Sequence, residues 1–427
     1  MPYPRMVKIR QKFSSIPEIK DIKQKVHSEL AKPNIMTRIK PGQRVAITAG
    51  SRGIANIDCI IGAIVKELKD YGAKPFIVPA MGSHGNATAE GQKEILLHYN
   101  ITEDTMGCPI LSSMETVKLG QTADKFTVFI DKNAFSADHI VVVNRIKQHT
   151  DFSGKIESGL IKMIGIGLGK RDGASMYHKA SLKFGFENVL RGVADVVLQT
   201  GKIAFSVGIV ETPYDQTGII CATSFDELVK TEESLQEKAK QLAAKLPFDE
   251  IDVLIVDEIG KDISGLGMDT KVIGRMMQTG EEDPKSPKIT RILALDLTPN
   301  TMGNAAGIGL ADFTTKRLVD KIKFEPTYMN FITSMGPQKV RIPIHFDNDR
   351  KVLDAVFDTI GLVNPEDSKV VRIKNTLRLD EVEISESLLD LARTRKDLEI
   401  ISEPKEFEFD ENNNLKPIVL QNEHTQY

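Results

Sequence analysis

Three of the eight histidines, His84, His149 and His178, lie in segments rich in glycine, serine and polar residues rather than in apolar runs. An imidazole titrates near neutral pH, so two of them on opposite sides of a substrate can serve as a base and its conjugate acid. A third can hold a metal through one ring nitrogen. The plain alternative for any single one is a solvated surface histidine. Lys162 stands among Leu160, Ile161, Met163 and Ile164. In such company a lysine either snorkels, with its stem on the core and its ammonium in water, or loses solvent and becomes a nucleophilic amine. Gly165, Gly167 and Gly169, followed by Lys170 and Arg171, have the look of an anion cradle. Closely spaced glycines let backbone N–H groups converge on a phosphate. The stretch fits neither the GxxxxGK[ST] nor the GxGxxG spacing, and a simple Gly-rich turn explains it equally well. Arg52, at the end of an apolar strand pattern, offers a guanidinium fork to a carboxylate or phosphate. The polar Gly segment Lys261–Lys271 contributes Lys271.

Alternating strand and helix patterns must position these residues. Arg44–Thr48 reads as a strand that runs into Ala49-Gly50-Ser51-Arg52-Gly53. Ile57, Ile60, Ile61, Ile64, Val65 and Leu68 then recur at helical spacing. Lys74–Pro79 repeats the pattern, running into Ala80-Met81-Gly82-Ser83-His84-Gly85-Asn86 and a helix from Glu90 to His98. His139–Asn144 and Ile203–Val210 are continuously apolar, as in strands buried on both faces. The fold class expected is α/β, two α/β domains with parallel-rich sheets, whose loops at the strand C-termini carry ligands. A capping box from Ser224 to Glu227 is expected to start a helix with Leu228, Leu235 and Leu242 on its apolar face, stopped at Pro247. The domain boundary falls there, giving residues 1–247, 248–402 and a polar tail, 403–427, able to pack back on the N-terminal domain. In the second half, strands are expected at Ile251–Val256 and Thr290–Leu295, and a helix from Gly309 to Ile322.

Composition excludes several classes. With 56 Lys+Arg against 59 Asp+Glu, the chain of 427 residues carries a net charge of −3, which argues against a nucleic-acid partner. No apolar run approaches the roughly 18 residues of a membrane-spanning helix, so no membrane partner is expected. The three cysteines have no CxxC spacing and suit a reduced, cytoplasmic setting. No HExxH, GxSxG or CxxC signature occurs.

Taken together, Met81-Gly82-Ser83-His84-Gly85, then His149 with Phe152-Ser153-Gly154, then Lys162 and His178 16 residues later, resemble the nickel-dependent lactate racemase family. That family comprises 2-hydroxyacid racemases and epimerases. The resemblance covers most of residues 40–275. It implies two α/β domains with an active-site cleft between them, and a nickel pincer nucleotide, pyridinium-3-thioamide-5-thiocarboxylic acid mononucleotide, as cofactor. It implies cofactor attachment at Lys162, with Lys155 as competitor, and nickel ligation by His178. His84 and His149 become the acid/base pair, Arg52 and Lys271 the substrate-binding residues. A small-molecule 2-hydroxyacid and the cofactor-synthesis proteins are the implied partners. The family's acidic residue and Thr before the arginine, and Pro after it, are replaced by Gly50-Ser51 and Gly53. Its aromatic-rich substrate loop is replaced by Gly265-Leu266-Gly267-Met268. These departures point to an acid larger than lactate or differently charged. Two other readings use the same residues: a metal-assisted dehydratase of a hydroxy or sugar acid, and a non-catalytic protein that binds a nucleotide or acid.

Overall fold

The computed structural model describes residues 2–51 and 53–420. The chain divides into two compact units, and each is α/β. One comprises Ser15–His149 and Ser153–Ala243. The other comprises Met1–Ser14, Thr150–Phe152 and Ala244–Tyr427.

The first unit is built on a five-stranded sheet ordered Lys74–Pro79, Arg44–Ala49, His139–Arg145, Ile203–Glu211, Thr217–Ser224. All neighbours are parallel except the last pair. Val141, Val142 and Val143 are all buried, so the sheet is covered on both faces, as their unbroken apolar run requires. The helix Ile57–Asp70 buries Ile57, Ile60, Ile61, Ile64, Val65 and Leu68, the face its spacing predicts. The helix Ala89–His98 is capped by Thr88, whose hydroxyl accepts from Gly91 N. The expected capping box at Ser224 does not form. Ser224 ends the preceding strand with its side chain buried, and the helix Leu228–Leu242 starts from Glu227 with no side-chain cap.

The second unit holds an eight-stranded mixed sheet. Glu250–Val256 and Lys288–Ala294 run parallel at its centre, close to their expected bounds. The expected helix over Gly309–Ile322 is replaced by a strand, Phe313–Thr315, and a short helix, Lys316–Asp320. The β-branched pair Thr314 and Thr315 explains the difference. Both are fully buried, and their hydroxyls donate to Ala294 O (2.8 Å) and Leu295 O (2.7 Å) of the adjacent strand. Residues 1–14, grouped with the N-terminal domain in the sequence reading, supply the strand Met6–Gln11 to this sheet. It pairs antiparallel with Glu381–Ser385 and Leu398–Ile400. The tail packs on this same unit. Met6 and Lys405 exchange backbone hydrogen bonds, and Leu415 and Ile418 are buried. Arg372 and Asp257, both buried, form a bidentate pair at 2.7 and 3.1 Å. Arg372 also donates to Lys416 O, and Asp257 accepts from Ile418 N.

Asp257→Ala is therefore expected to leave a buried guanidinium with only the longer carboxylate contact to Glu383 (3.4 Å) and to loosen the tail where Ile418 N loses its acceptor. The cost should be about 3–5 kcal/mol of stability, with faster proteolysis after residue 403. Urea unfolding and limited digestion check this. A variant as stable and as resistant as wild type would contradict it.

Candidate functional site

His84 lies in the turn between the strand Lys74–Pro79 and the helix Ala89–His98, where parallel sheets present ligands. Its ring Nδ1 is hydrogen-bonded to Ser51 Oγ, and the Ser51 carbonyl accepts from Tyr99 Oη (3.3 Å). The turn fits tightly on the helix start. A Cβ on Gly91 would come within 2.2 Å of Gly85 O, and Gly85 itself has a φ of +65°. Beneath the turn lies Gln92, fully buried, whose amide nitrogen donates to Gly82 O (3.0 Å) and His84 O (3.2 Å). Its amide oxygen accepts from Lys170 Nζ (2.9 Å). Lys170 also donates to Pro79 O and pairs with Asp131 at 3.1 Å, both side chains fully buried. Burial pushes the lysine down and the carboxyl up from their ordinary values, and the ion pair opposes both shifts.

His149 lies in the loop after the strand His139–Arg145. Its backbone N–H donates to Glu157 (2.7 Å), a fully buried carboxylate that also accepts from Gly154 N (3.1 Å) and faces Lys240 at 3.3 Å. Its ring stacks on Phe186, with centroids 6.2 Å apart and planes at 27°. His178 is not in a loop, as its polar surroundings suggested, but in the helix Lys170–Phe184. It meets the same Phe186 ring edge-on, at 5.7 Å and 76°. One phenylalanine thus brings two of the sequence-predicted histidines together.

Lys162 is half-buried at the end of the one-turn helix Leu160–Lys162. A π turn, Met163–Gly167, follows, closed by Leu168 N donating to Met163 O (2.9 Å). Single π turns of this kind occur frequently at functional sites. Gly82 N donates to Gly167 O (3.2 Å), so the His84 turn rests on the segment that follows Lys162. Gly165, Gly167 and Gly169 are all buried, the first two in the π turn and Gly169 in the turn that starts the next helix. The last two are small for packing reasons. A Cβ on Gly167 would lie 2.7 Å from Ala80 O, and one on Gly169 would lie 2.4 Å from Gly165 O. Gly169 N is already committed to Gly165 O. The start of the Lys162 helix is held by Glu232, whose carboxyl group accepts from Ile161 N (2.8 Å). Burial pushes Glu232 up to about 8, against the opposing pull of its backbone donors and Arg191. Lys155 is exposed.

Arg52 lies outside the described residues. Lys271 belongs to the other unit, where its Nζ donates to Phe152 O (3.0 Å) and approaches Met276 Sδ at 3.3 Å. Gln92, Glu157, Phe186 and Glu232 were not singled out from the sequence. Gln92 shares a helical stripe with buried Leu96, and Glu232 one with Leu228 and Leu235. A polar residue on an apolar stripe was the available signal for both.

The donor chemistry fits the group the resemblance implies. A pincer nucleotide brings its own sulfur donors, and asks of the protein an amine for attachment and one imidazole for nickel. Lys162 and His178 are of those kinds. Among the described residues, no three or more His, Cys, Asp or Glu side chains are grouped to hold a metal by themselves. No described helix is long and apolar enough to cross a membrane.

Comparison with known proteins agrees with the family resemblance over part of the chain. Residues 5–186 match the model of the lactate racemase N-terminal domain. That stretch contains His84, His149, Lys162 and His178. A solved structure, the lactate racemase apoprotein from Thermoanaerobacterium thermosaccharolyticum, is similar at 14% identity and a TM-score of 0.49. The similarity covers 87% of this chain and 94% of that one. No curated protein matches the chain.

The raised Glu232 makes a pH prediction. The folded protein keeps its proton up to about pH 8, while an unfolded glutamic acid loses it near its ordinary value of 4.5. The contribution is fully present below pH 4.5 and is lost as pH rises to about 8. Glu232→Gln, which retains an acceptor for Ile161 N, should remove that slope. Its stability relative to wild type should grow from pH 5 to pH 8 by up to a few kcal/mol. Denaturation midpoints measured at both pH values decide the matter, and parallel pH dependences would refute it.

Proposed function

We propose that this protein interconverts the two configurations at C2 of a 2-hydroxyacid, with a nickel pincer nucleotide held through Lys162 and His178. One observation carries the reading. The histidines and lysine that the chemistry needs are on one α/β unit, inside the segment matched by the lactate racemase N-terminal domain, with His149 and His178 against one aromatic ring. When bound, the nucleotide would supply a site that accepts hydride from C2 and returns it to either face.

The protein's own part is proton handling and orientation. One histidine takes the proton of the C2 hydroxyl as the bond to hydrogen at C2 breaks, and the other gives a proton back on the opposite side. Ser51 fixes the His84 ring through Nδ1, which assigns proton transfer to Nε2. Glu157 holds the backbone of His149, and Phe186 holds its ring. His178, meeting the same phenylalanine at a steep angle, has the orientation of its ring restricted in turn. Arg52 is the residue we assign to the substrate carboxylate. The acid is larger than lactate or differently charged. The setting is cytoplasmic, in keeping with the unbridged Cys59, Cys108 and Cys221.

The test is chiral analysis of a panel of 2-hydroxyacids, deuterated at C2, incubated with protein produced alongside the cofactor-synthesis enzymes. At least one acid should racemise with its deuterium retained at C2. His84→Ala and His149→Ala should each slow both directions on the order of a hundredfold. Loss of the label to water would mean direct proton abstraction at carbon. That outcome, or an inert panel, would refute the proposal.

A further inference from the structure

The turn that carries His84 is bonded to a buried side chain that no step above uses. Gln92 is fully buried, and its amide nitrogen spans two carbonyls of the turn, Gly82 O at 3.0 Å and His84 O at 3.2 Å. A glutamine amide can face either way, and only its partners decide which. Here the decision is made by Lys170. An ammonium is a donor without acceptor capacity, so the Gln92 atom 2.9 Å from Lys170 Nζ must be the oxygen. The NH₂ group is thereby turned toward the two carbonyls. Lys170 is itself held at Pro79 O, the last residue of the strand that leads into the turn, and by Asp131 at 3.1 Å. Lys170 adopts a φ of +52°, uncommon for a non-glycine residue.

We propose that Gln92 is the positioning residue for His84, with Lys170 and Asp131 setting the direction of its amide. The His84 carbonyl and the Gly82 carbonyl are two points on one turn. Fixing both fixes the Cα–Cβ direction of His84, and the Ser51 hydroxyl then fixes the ring. Gln92 touches no reacting atom; it acts through His84, and its consequence for catalysis rests on the racemase reading above. Removing the two N–H donors leaves two carbonyls of the turn without these bonds in a dry site, and the turn must shift to recover them.

The experiment follows the imidazole signals of histidine-labelled protein by NMR, with the His84 signal assigned from its loss in His84→Gln. Two variants are used. Gln92→Met keeps the volume and removes every hydrogen bond. Gln92→Glu keeps an acceptor for Lys170 and removes both donors, and serves if the first does not fold. In the folded variants the His84 signal should shift and its titration curve should move, while those of His27 and His98 stay in place. In the cofactor-loaded enzyme kcat should fall about tenfold to a hundredfold with KM little changed. A His84 signal and titration identical to wild type in a folded variant would overturn the positioning role. If His84 moves in this way but the wild-type holoprotein racemises nothing, the racemase reading fails and the positioning role stands.

Discussion

The loops that carry the candidate chemistry depend on buried side chains for hydrogen bonds that regular structure does not supply. A backbone amide or carbonyl taken out of water needs a partner, and a loop beyond the end of a strand has no ladder to provide one. In this protein Gln92 meets two carbonyls of the His84 turn, Glu157 meets the amides of His149 and Gly154, and Glu232 meets the amide of Ile161 just before Lys162. All three side chains are fully buried. These interactions tie the sheet's loops to the helices behind them.

The aromatic contact works in the same direction. Phe186 begins a helix right after Gly185, and its ring takes one histidine face-on and the other edge-on. A phenyl ring has no hydrogen bond to offer, so it restricts both imidazoles without competing for their nitrogens. Glycine plays the complementary part. Gly85, Gly91 and Gly169 are absences of side chain that let backbone meet backbone, and the π turn after Lys162 is closed over the same crowded ground.

Much of this was legible in the sequence, for identifiable reasons. Strands such as His139–Arg145 and Glu250–Val256 announce themselves because burial on both faces leaves an unbroken apolar run. The order of His84, His149, Lys162 and His178 carried the family resemblance. Other features depend on partners far along the chain. Met6–Gln11 alternates Val7 and Ile9 with Lys8 and Arg10, as a strand does, but its place in the second sheet depends on Glu381–Ser385, far along the chain. Gly165, Gly167 and Gly169 resembled a phosphate loop because glycine spacing looks the same whether the space is filled by a ligand or by Ala80, Gly165 and Tyr177. His178 sits in a helix whose polar composition imitates a loop. Glu232 and Gln92 are polar residues on apolar helix stripes, and what they bond to lies elsewhere in the chain.

The proposed covalent attachment of a nickel nucleotide at Lys162 is open to peptide mapping. Protein produced alongside the cofactor-synthesis enzymes would be digested and its lysine-containing peptides weighed, with nickel measured on the same sample. A nucleotide-sized mass addition is expected on the peptide containing Lys162 alone, with nickel in proportion to it. An adduct on Lys155, or nickel-loaded active protein with an unmodified Lys162, would contradict it.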